Sequence, residues 1–138
     1  MTKEVSITME GVQLGSEEEP IITTASGTYH LRNGKHYIQY EEKSVEGSKS
    51  VKSLIKISMT QVEITKQGAE KSQMNFDLHD MTEIIYQTPY GSLFFEAKTT
   101  QLLITEAERL IEVTLEYSLL SNKDTISDNR TIIRIMAL

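Results

Sequence analysis

The chain contains no cysteine, no tryptophan, only two prolines and only three phenylalanines. Without thiols there is no disulfide framework, no zinc–thiolate site and no cysteine nucleophile. With proline confined to Pro20 and Pro89, little interrupts regular structure. Cations are in deficit: 14 Lys and Arg against 20 Asp and Glu leave a formal charge of -6. That balance keeps the chain soluble and argues against a polyanionic partner such as nucleic acid. No apolar run approaches the roughly 20 residues of a membrane span. No apolar leader precedes the first strand pattern, since Met1-Thr2-Lys3-Glu4 runs straight into it. Together these absences predict a cytoplasmic, reducing setting. The 138 residues read as one domain over 1–138, long enough to bury about two-thirds of the unfolded surface.

What fills the chain instead is alternation. Val5, Ile7 and Met9 alternate with Ser6 and Thr8. Val51, Ile55, Ile57 and Met59 stand opposite Lys52, Lys56 and Ser58. Ile111, Val113, Leu115, Tyr117 and Leu119 alternate with Glu112, Thr114, Glu116 and Ser118. A period of two over so much sequence predicts strands with one buried and one wet face.

The clearest local signal is Asn33-Gly34, between strand-like Ile21–Arg32 and Lys35–Glu42. Asn-Gly supplies the two positive-φ positions of a type I′ hairpin turn. That turn sets the register: Arg32 faces Lys35, Leu31 faces His36, Tyr29 faces Ile38 and Gly27 faces Tyr40. Ala25, Gly27, Tyr29, Leu31, His36, Ile38 and Tyr40 then share the core face. Ser26, Thr28, His30, Tyr37, Gln39 and Glu41 share the solvent face. A glycine opposite Tyr40 leaves room for the ring or for a bend in the sheet.

Elsewhere the pattern predicts strands over 3–12, 50–60, 61–66, 74–79, 83–88, 92–100, 101–105, 110–121 and 125–138. Polar connections separate them, including Gly15–Pro20, Lys43–Lys49, Gln67–Lys71, Pro89-Tyr90-Gly91 and Asn122-Lys123-Asp124. Glu17-Glu18-Glu19 reads as a solvated loop. Only Glu106–Arg109 looks helical, and it is too short for more than a turn. Some eight to ten antiparallel strands in meander order predict an all-β, up-and-down barrel, because a sheet of that size closes or splits to remove its edges.

Several short strings, taken in order, resemble a known family. They are Tyr37-Ile38-Gln39-Tyr40-Glu41, Val51–Ile57, Val62–Gly68, Met74-Asn75-Phe76, Tyr86–Gly91 and the strand ending Lys98-Thr99. Across roughly residues 3–136 they are similar to the YwiB-like family of uncharacterised small bacterial proteins. The resemblance implies a calycin-like barrel, related in shape to lipocalins and fatty-acid-binding proteins. It brings no catalytic residues and no cofactor with it.

The residues themselves point to no reaction. No Gly-x-Ser-x-Gly elbow is present; Tyr90-Gly91-Ser92 lies between strands with no helix following. Glu41 and Glu42 point to opposite faces of one strand and share no substrate. No phosphate-cradling glycine loop occurs. His30 and His79 fall on outward faces, and no His-x-His or His-x-x-x-His spacing suggests a metal. His36 falls inward beside Leu31, near one barrel mouth. There it either orients a polar ligand head or is satisfied by a neighbouring carbonyl or water. A barrel of this size either fills itself or leaves space for one small ligand. The candidate lining comprises Tyr29, His36, Ile38, Tyr40, Phe76, Tyr86, Phe95 and Tyr117, with Ile55, Ile57, Val113 and Leu115 also inward. Four inward tyrosines need partners for their hydroxyls if buried. Phe94 and Leu103 stand out of phase with inward Phe95 and Leu102, and Ile132, Ile133, Ile135 and Met136 are similarly two-sided. Outward apolar residues of this kind suit a homodimer interface. The sequence thus predicts a binding module for a small, partly apolar ligand, with no enzyme activity. The alternative is a side-chain-filled barrel acting through its surface, as a homodimer or with a protein partner.

Overall fold

Asn33 and Gly34 adopt φ of 52° and 76°, the left-handed pair of a I′ turn, and they join β2 (Ile21–Arg32) to β3 (Lys35–Lys43). The pairing is the one the turn demands: Arg32 faces Lys35, Leu31 faces His36, Tyr29 faces Ile38 and Gly27 faces Tyr40. The computed structural model describes residues 3–43, 50–68 and 71–138. Met1 and Thr2, most of the Lys43–Lys49 loop, and Ala69-Glu70 of the Gln67–Lys71 turn lie outside the described residues.

Eight more strands surround this hairpin: β1 (Glu4–Gln13), β4 (Ser50–Ile57), β5 (Gln61–Gln67), β6 (Lys71–Asp77), β7 (Thr82–Thr88), β8 (Gly91–Glu106), β9 (Leu110–Ser121) and β10 (Asp124–Ala137). Each pairs antiparallel with its sequence neighbours. β1 also pairs with β10, from Val5 opposite Ala137 to Gln13 opposite Asn129, so the ten strands close into a barrel. The expected up-and-down barrel is the observed fold. Among the described residues no helix is long and apolar enough to cross a membrane.

Two strands depart from uniform alternation, and both departures are bulges. The expected strands 92–100 and 101–105 are one strand, β8, with a register shift between Thr99 and Gln101 against β9. Thr100 is the extra residue, and its hydroxyl donates to the Glu116 carbonyl at 3.2 Å. Before it the inward positions are odd (Phe95, Ala97, Thr99); after it they are even (Leu102, Ile104, Glu106). The clash of phase between Phe95 and Leu102 is this bulge. A second shift lies between Thr125 and Ser127 of β10, and Ile126 is turned out to solvent there. The helical turn expected at Glu106–Arg109 is absent: Glu106 pairs with Ile111, and the Ala107 N–H donates to the Leu110 carbonyl at 2.8 Å across a tight hairpin.

The core is the inward face of every strand. Val5, Ile7, Ile38, Ile55, Ile57, Val62, Phe76, Ile84, Val113, Leu115, Ile133 and Ile135 are all but fully buried. Each such side chain contributes about 1.5–3 kcal/mol relative to exposure. Outside, Arg134 stands between Glu10 and Glu112, and Arg130 pairs with Glu116. These half-buried pairs on the wet face contribute little individually. Leu31 departs from its expected place in the core: it is 62% exposed, because it is the last inward position before the turn and projects past the rim.

Gly27 carries a steric requirement. A Cβ there would meet the Gln39 carbonyl at 2.2 Å and the Tyr40 Cβ at 2.9 Å, so β2 and β3 approach too closely there for any side chain. Gly27→Ala is expected to lower unfolding free energy by about 3 kcal/mol, the upper range for overpacking. Urea denaturation checks this, and an unchanged midpoint would refute the close approach. The turn between β9 and β10 places Asn122 and Lys123 at φ of 51° and 71°. A lysine is strained in that region, so Lys123→Gly is expected to raise stability by about 1 kcal/mol. The same denaturation series reads it, as a higher midpoint at an unchanged slope.

Candidate functional site

At the end of the barrel formed by the β2–β3, β4–β5, β6–β7 and β8–β9 turns, three inward side chains meet. The Tyr29 hydroxyl lies 2.6 Å from His36 Nδ1, and His36 Nε2 lies 2.5 Å from Glu106 Oε1. A carboxylate only accepts, so Nε2 carries a proton toward Glu106. In the neutral ring Nδ1 then accepts from the Tyr29 O–H. Both ring nitrogens are therefore committed. His36 is 8% exposed, whereas the Glu106 side chain is 59% exposed, so the chain of hydrogen bonds runs from the core to the rim. Burial, and then the Glu106 charge, push the Tyr29 hydroxyl above its ordinary pKa. Tyr29 is thus held as a phenol, hydrogen-bonded to His36 Nδ1, rather than as a nucleophile.

The bulge at Thr100 places Glu106 here. Continued in the phase of Phe95, β8 would turn Glu106 to the outside; the extra residue turns it inward, opposite the hairpin that carries His36. The Asn-Gly register predicts Tyr29 and His36 on this inner face, whereas Glu106 is not among the residues the sequence singles out. The one signal that pointed to it was the phase change between Phe95 and Leu102.

A cavity of about 500 Å3 opens against this cluster. Gly34 and His36 contribute one side, Ile57, Ser58 and Met59 a second, and Leu102, Leu103, Ile104 and Glu106 a third. The volume lies within the range of small-molecule sites. Its walls are aliphatic apart from Ser58, His36 and Glu106. Met59, Leu31, Leu78 and Met81 stand exposed around the same mouth. The Leu78 N–H donates to the Thr60 carbonyl at 3.1 Å, which ties the β6–β7 loop to the β4–β5 turn.

All eight candidate lining residues point into the barrel. His36, Ile38, Tyr40 and Phe76 are buried in its core, and Tyr29, Tyr86, Phe95 and Tyr117 are partly buried against it. They do not form one site. Tyr29 and His36 belong to the mouth. Phe76 and Tyr117 stack at 4.6 Å between ring centroids, and Tyr86 meets Phe95 edge-on at 6.0 Å, so these rings occupy the interior against one another. Tyr40 lies beside Glu42 toward the opposite end, where Glu42 approaches Lys66 at 3.7 Å. Ser53 lies against Tyr40, and its hydroxyl and that of Thr99 are buried.

Other features lie apart. A groove of about 690 Å3 crosses the outer face of β2–β5 beside Gly27, lined mainly by hydroxyls and amides such as Ser26, Thr28, Gln39, Thr65 and Gln67. His30 is exposed, and the exposed His79 donates its backbone N–H to Asp77 at 2.9 Å. That bond, with a second from Gln61, lowers the Asp77 pKa. Phe94 is 67% exposed on an outward position, whereas Leu103, also outward in phase and 55% exposed, borders the cavity at the mouth. Among the described residues no three His, Asp or Glu side chains converge as metal ligands.

Residues 5–133 match the model of a family described as a domain of unknown function, DUF1934. Among solved structures the chain is similar to the ywiB protein from Bacillus subtilis, with a TM-score of 0.78 and 20% identity over 98% of this chain and 90% of that one. At that identity the likeness is one of fold. No curated protein matches the chain.

The two deepest tyrosines make alkaline stability a readout of this interior. Burial above all pushes Tyr40 and Tyr117 up to about 12. The unfolded chain releases the same protons near pH 10, so the folded state holds more protons between these values, and stability falls as pH rises from about 10 to 12. Absorbance at 295 nm should show two of the six tyrosines silent until the barrel unfolds. Ionisation of all six near pH 10 with the fold intact would contradict their burial.

Proposed function

The chain belongs to the DUF1934 family, and from that premise we propose that it is a binding module taking a small, partly apolar ligand at the mouth beside His36. The observation that carries this reading is the buried His36, held on both nitrogens and set against a cavity of about 500 Å3 with aliphatic walls. The His36 ring, satisfied by side chains on both nitrogens, holds the Glu106 carboxylate as the ordered polar point of an otherwise apolar recess, the usual composition of a small-molecule site. The exposed rim of Leu31, Met59, Leu78 and Met81 extends the apolar surface outward from that recess. Their side chains would be partly covered by a ligand entering there.

The order Tyr29–His36–Glu106 has the connectivity of a nucleophile, base and orienting carboxylate. Two features favour binding over turnover. The raised Tyr29 pKa opposes the phenolate that attack would need. Tyr29 also forms no part of the cavity lining, so a bound molecule meets His36 and Glu106 instead.

A neutral apolar fluorophore, N-phenyl-1-naphthylamine, tests the reading. Its emission should rise on binding. Ser58→Trp, which fills the recess from a turn, and Met59→Asp, which makes the rim polar, should each weaken binding about tenfold while leaving the thermal midpoint unchanged. Binding indifferent to both substitutions would overturn the assignment to this mouth.

A further inference from the structure

The geometry points to a specific ligand class at this mouth: an apolar molecule carrying a protonated amine, its ammonium group held by Glu106. The inference rests on the binding reading above and goes further by fixing the head group.

It follows from counting the hydrogen-bonding capacity left over. His36 presents no free nitrogen, since Nδ1 is joined to Tyr29 and Nε2 to Glu106. The Ser58 hydroxyl points back to the Gln61 carbonyl of its own turn at 3.4 Å. Glu106 is different. One carboxylate oxygen takes the His36 N–H, and among the described residues the other has no partner. Its side chain is more than half exposed and borders the cavity. No lysine or arginine lines that cavity. The nearest cations along the chain point away or are committed elsewhere: Lys35, out of phase with inward His36, borders a separate small cleft with Lys56 and Glu63, Arg32 faces Lys35 across the turn in the same outward phase, Lys56 pairs with Glu63, and Arg109 donates to the Ala137 carbonyl at 3.4 Å. The recess therefore offers a negative acceptor and no positive donor. An anionic head, such as the carboxylate of a fatty acid, would face Glu106 with like charge. A neutral hydroxyl would gain one bond. An ammonium gains a charge-assisted bond in a recess whose aliphatic walls reduce competition from water.

Tyr29 and His36 act as positioning residues here. The Nε2–H fixes one Glu106 oxygen and so orients the other, and the Tyr29 hydroxyl fixes the His36 ring. A carboxylate restrained in this way loses less freedom when the ligand arrives than a mobile surface glutamate would.

The experiment titrates three probes of equal chain length into 15N-labelled protein: octylammonium chloride, 1-octanol and sodium octanoate, all below micellar concentration. Amide shifts of Gly34 and Met59 report on the site. Octylammonium is expected to bind at least tenfold more tightly than either other probe, and Glu106→Gln, a change at an exposed side chain, should remove that preference while octanol binding persists. His36→Phe should reduce the preference with Glu106 still present, a change in selectivity that loss of the barrel would not produce. Octanoate or octanol binding as tightly as octylammonium would overturn the head-group inference and leave the cavity assignment standing. So would a preference that survives in Glu106→Gln, or shifts spread over the acidic outer face instead of the mouth. Silence of Gly34 and Met59 toward all three probes would overturn the binding reading itself.

Discussion

The pairing of β1 with β10 is the constraint on which the molecule depends. Along a run from Val5–Ala137 to Gln13–Asn129 it joins the first and last strands and leaves the sheet with no free edge. Closure makes inside and outside absolute. Once the sheet has joined itself, every side chain faces either a dry interior or water, and a slip of one residue anywhere exchanges the two. Val5, Ile7, Ile133 and Ile135 lie buried on the inner face of this seam, while Glu10 and Arg134 meet on its outer face.

Such a rule leaves the chain one way to move a residue across the wall, and it uses it twice. Bulges at Thr100 and Ile126 insert one residue and invert the phase beyond it. At Gly27 the phase is kept, and a missing Cβ allows two paired strands to approach at a distance that any other residue would forbid. The bulge in β8 has the larger chemical consequence, because it brings a carboxylate to the inner side of the mouth. Glu106 is tolerated there because His36 supplies a proton donor and because half of the side chain still reaches water. A fully buried, unpaired carboxylate would be far more costly.

The two ends of the barrel therefore differ. Aromatic rings, Phe76 with Tyr117 and Tyr86 with Phe95, fill the interior. Toward one end Tyr40, Glu42 and Lys66 make a polar cluster. At the other, aliphatic walls surround the Tyr29–His36–Glu106 chain and leave a recess open. This asymmetry explains why the inward residues do not behave as one pocket. Those in the middle contact one another, and those at the mouth contact space.

The division between sequence and tertiary structure follows from the range of the forces involved. Alternation and the Asn33-Gly34 turn are local, and they were enough to read the barrel, the β2–β3 register and the inward placement of Tyr29, His36 and Tyr40. The steric preference of two turn residues propagates along a hairpin without help from the rest of the chain. Leu31 shows where that reading stops: facing the core side is a property of the strand, but burial requires the barrel to extend that far, and at the rim it does not. Glu106 marks the larger limit. It sits 70 residues from His36, and its side of the wall depends on a bulge whose local trace, the clash between Phe95 and Leu102, is equally consistent with two separate strands. Only the pairing of β8 with β9 decides between them, because an inserted residue is defined by the partner strand that has no counterpart for it. The sequence by itself determined an all-β chain that closes and the hairpin carrying the histidine; the closed barrel decided that a carboxylate would stand opposite.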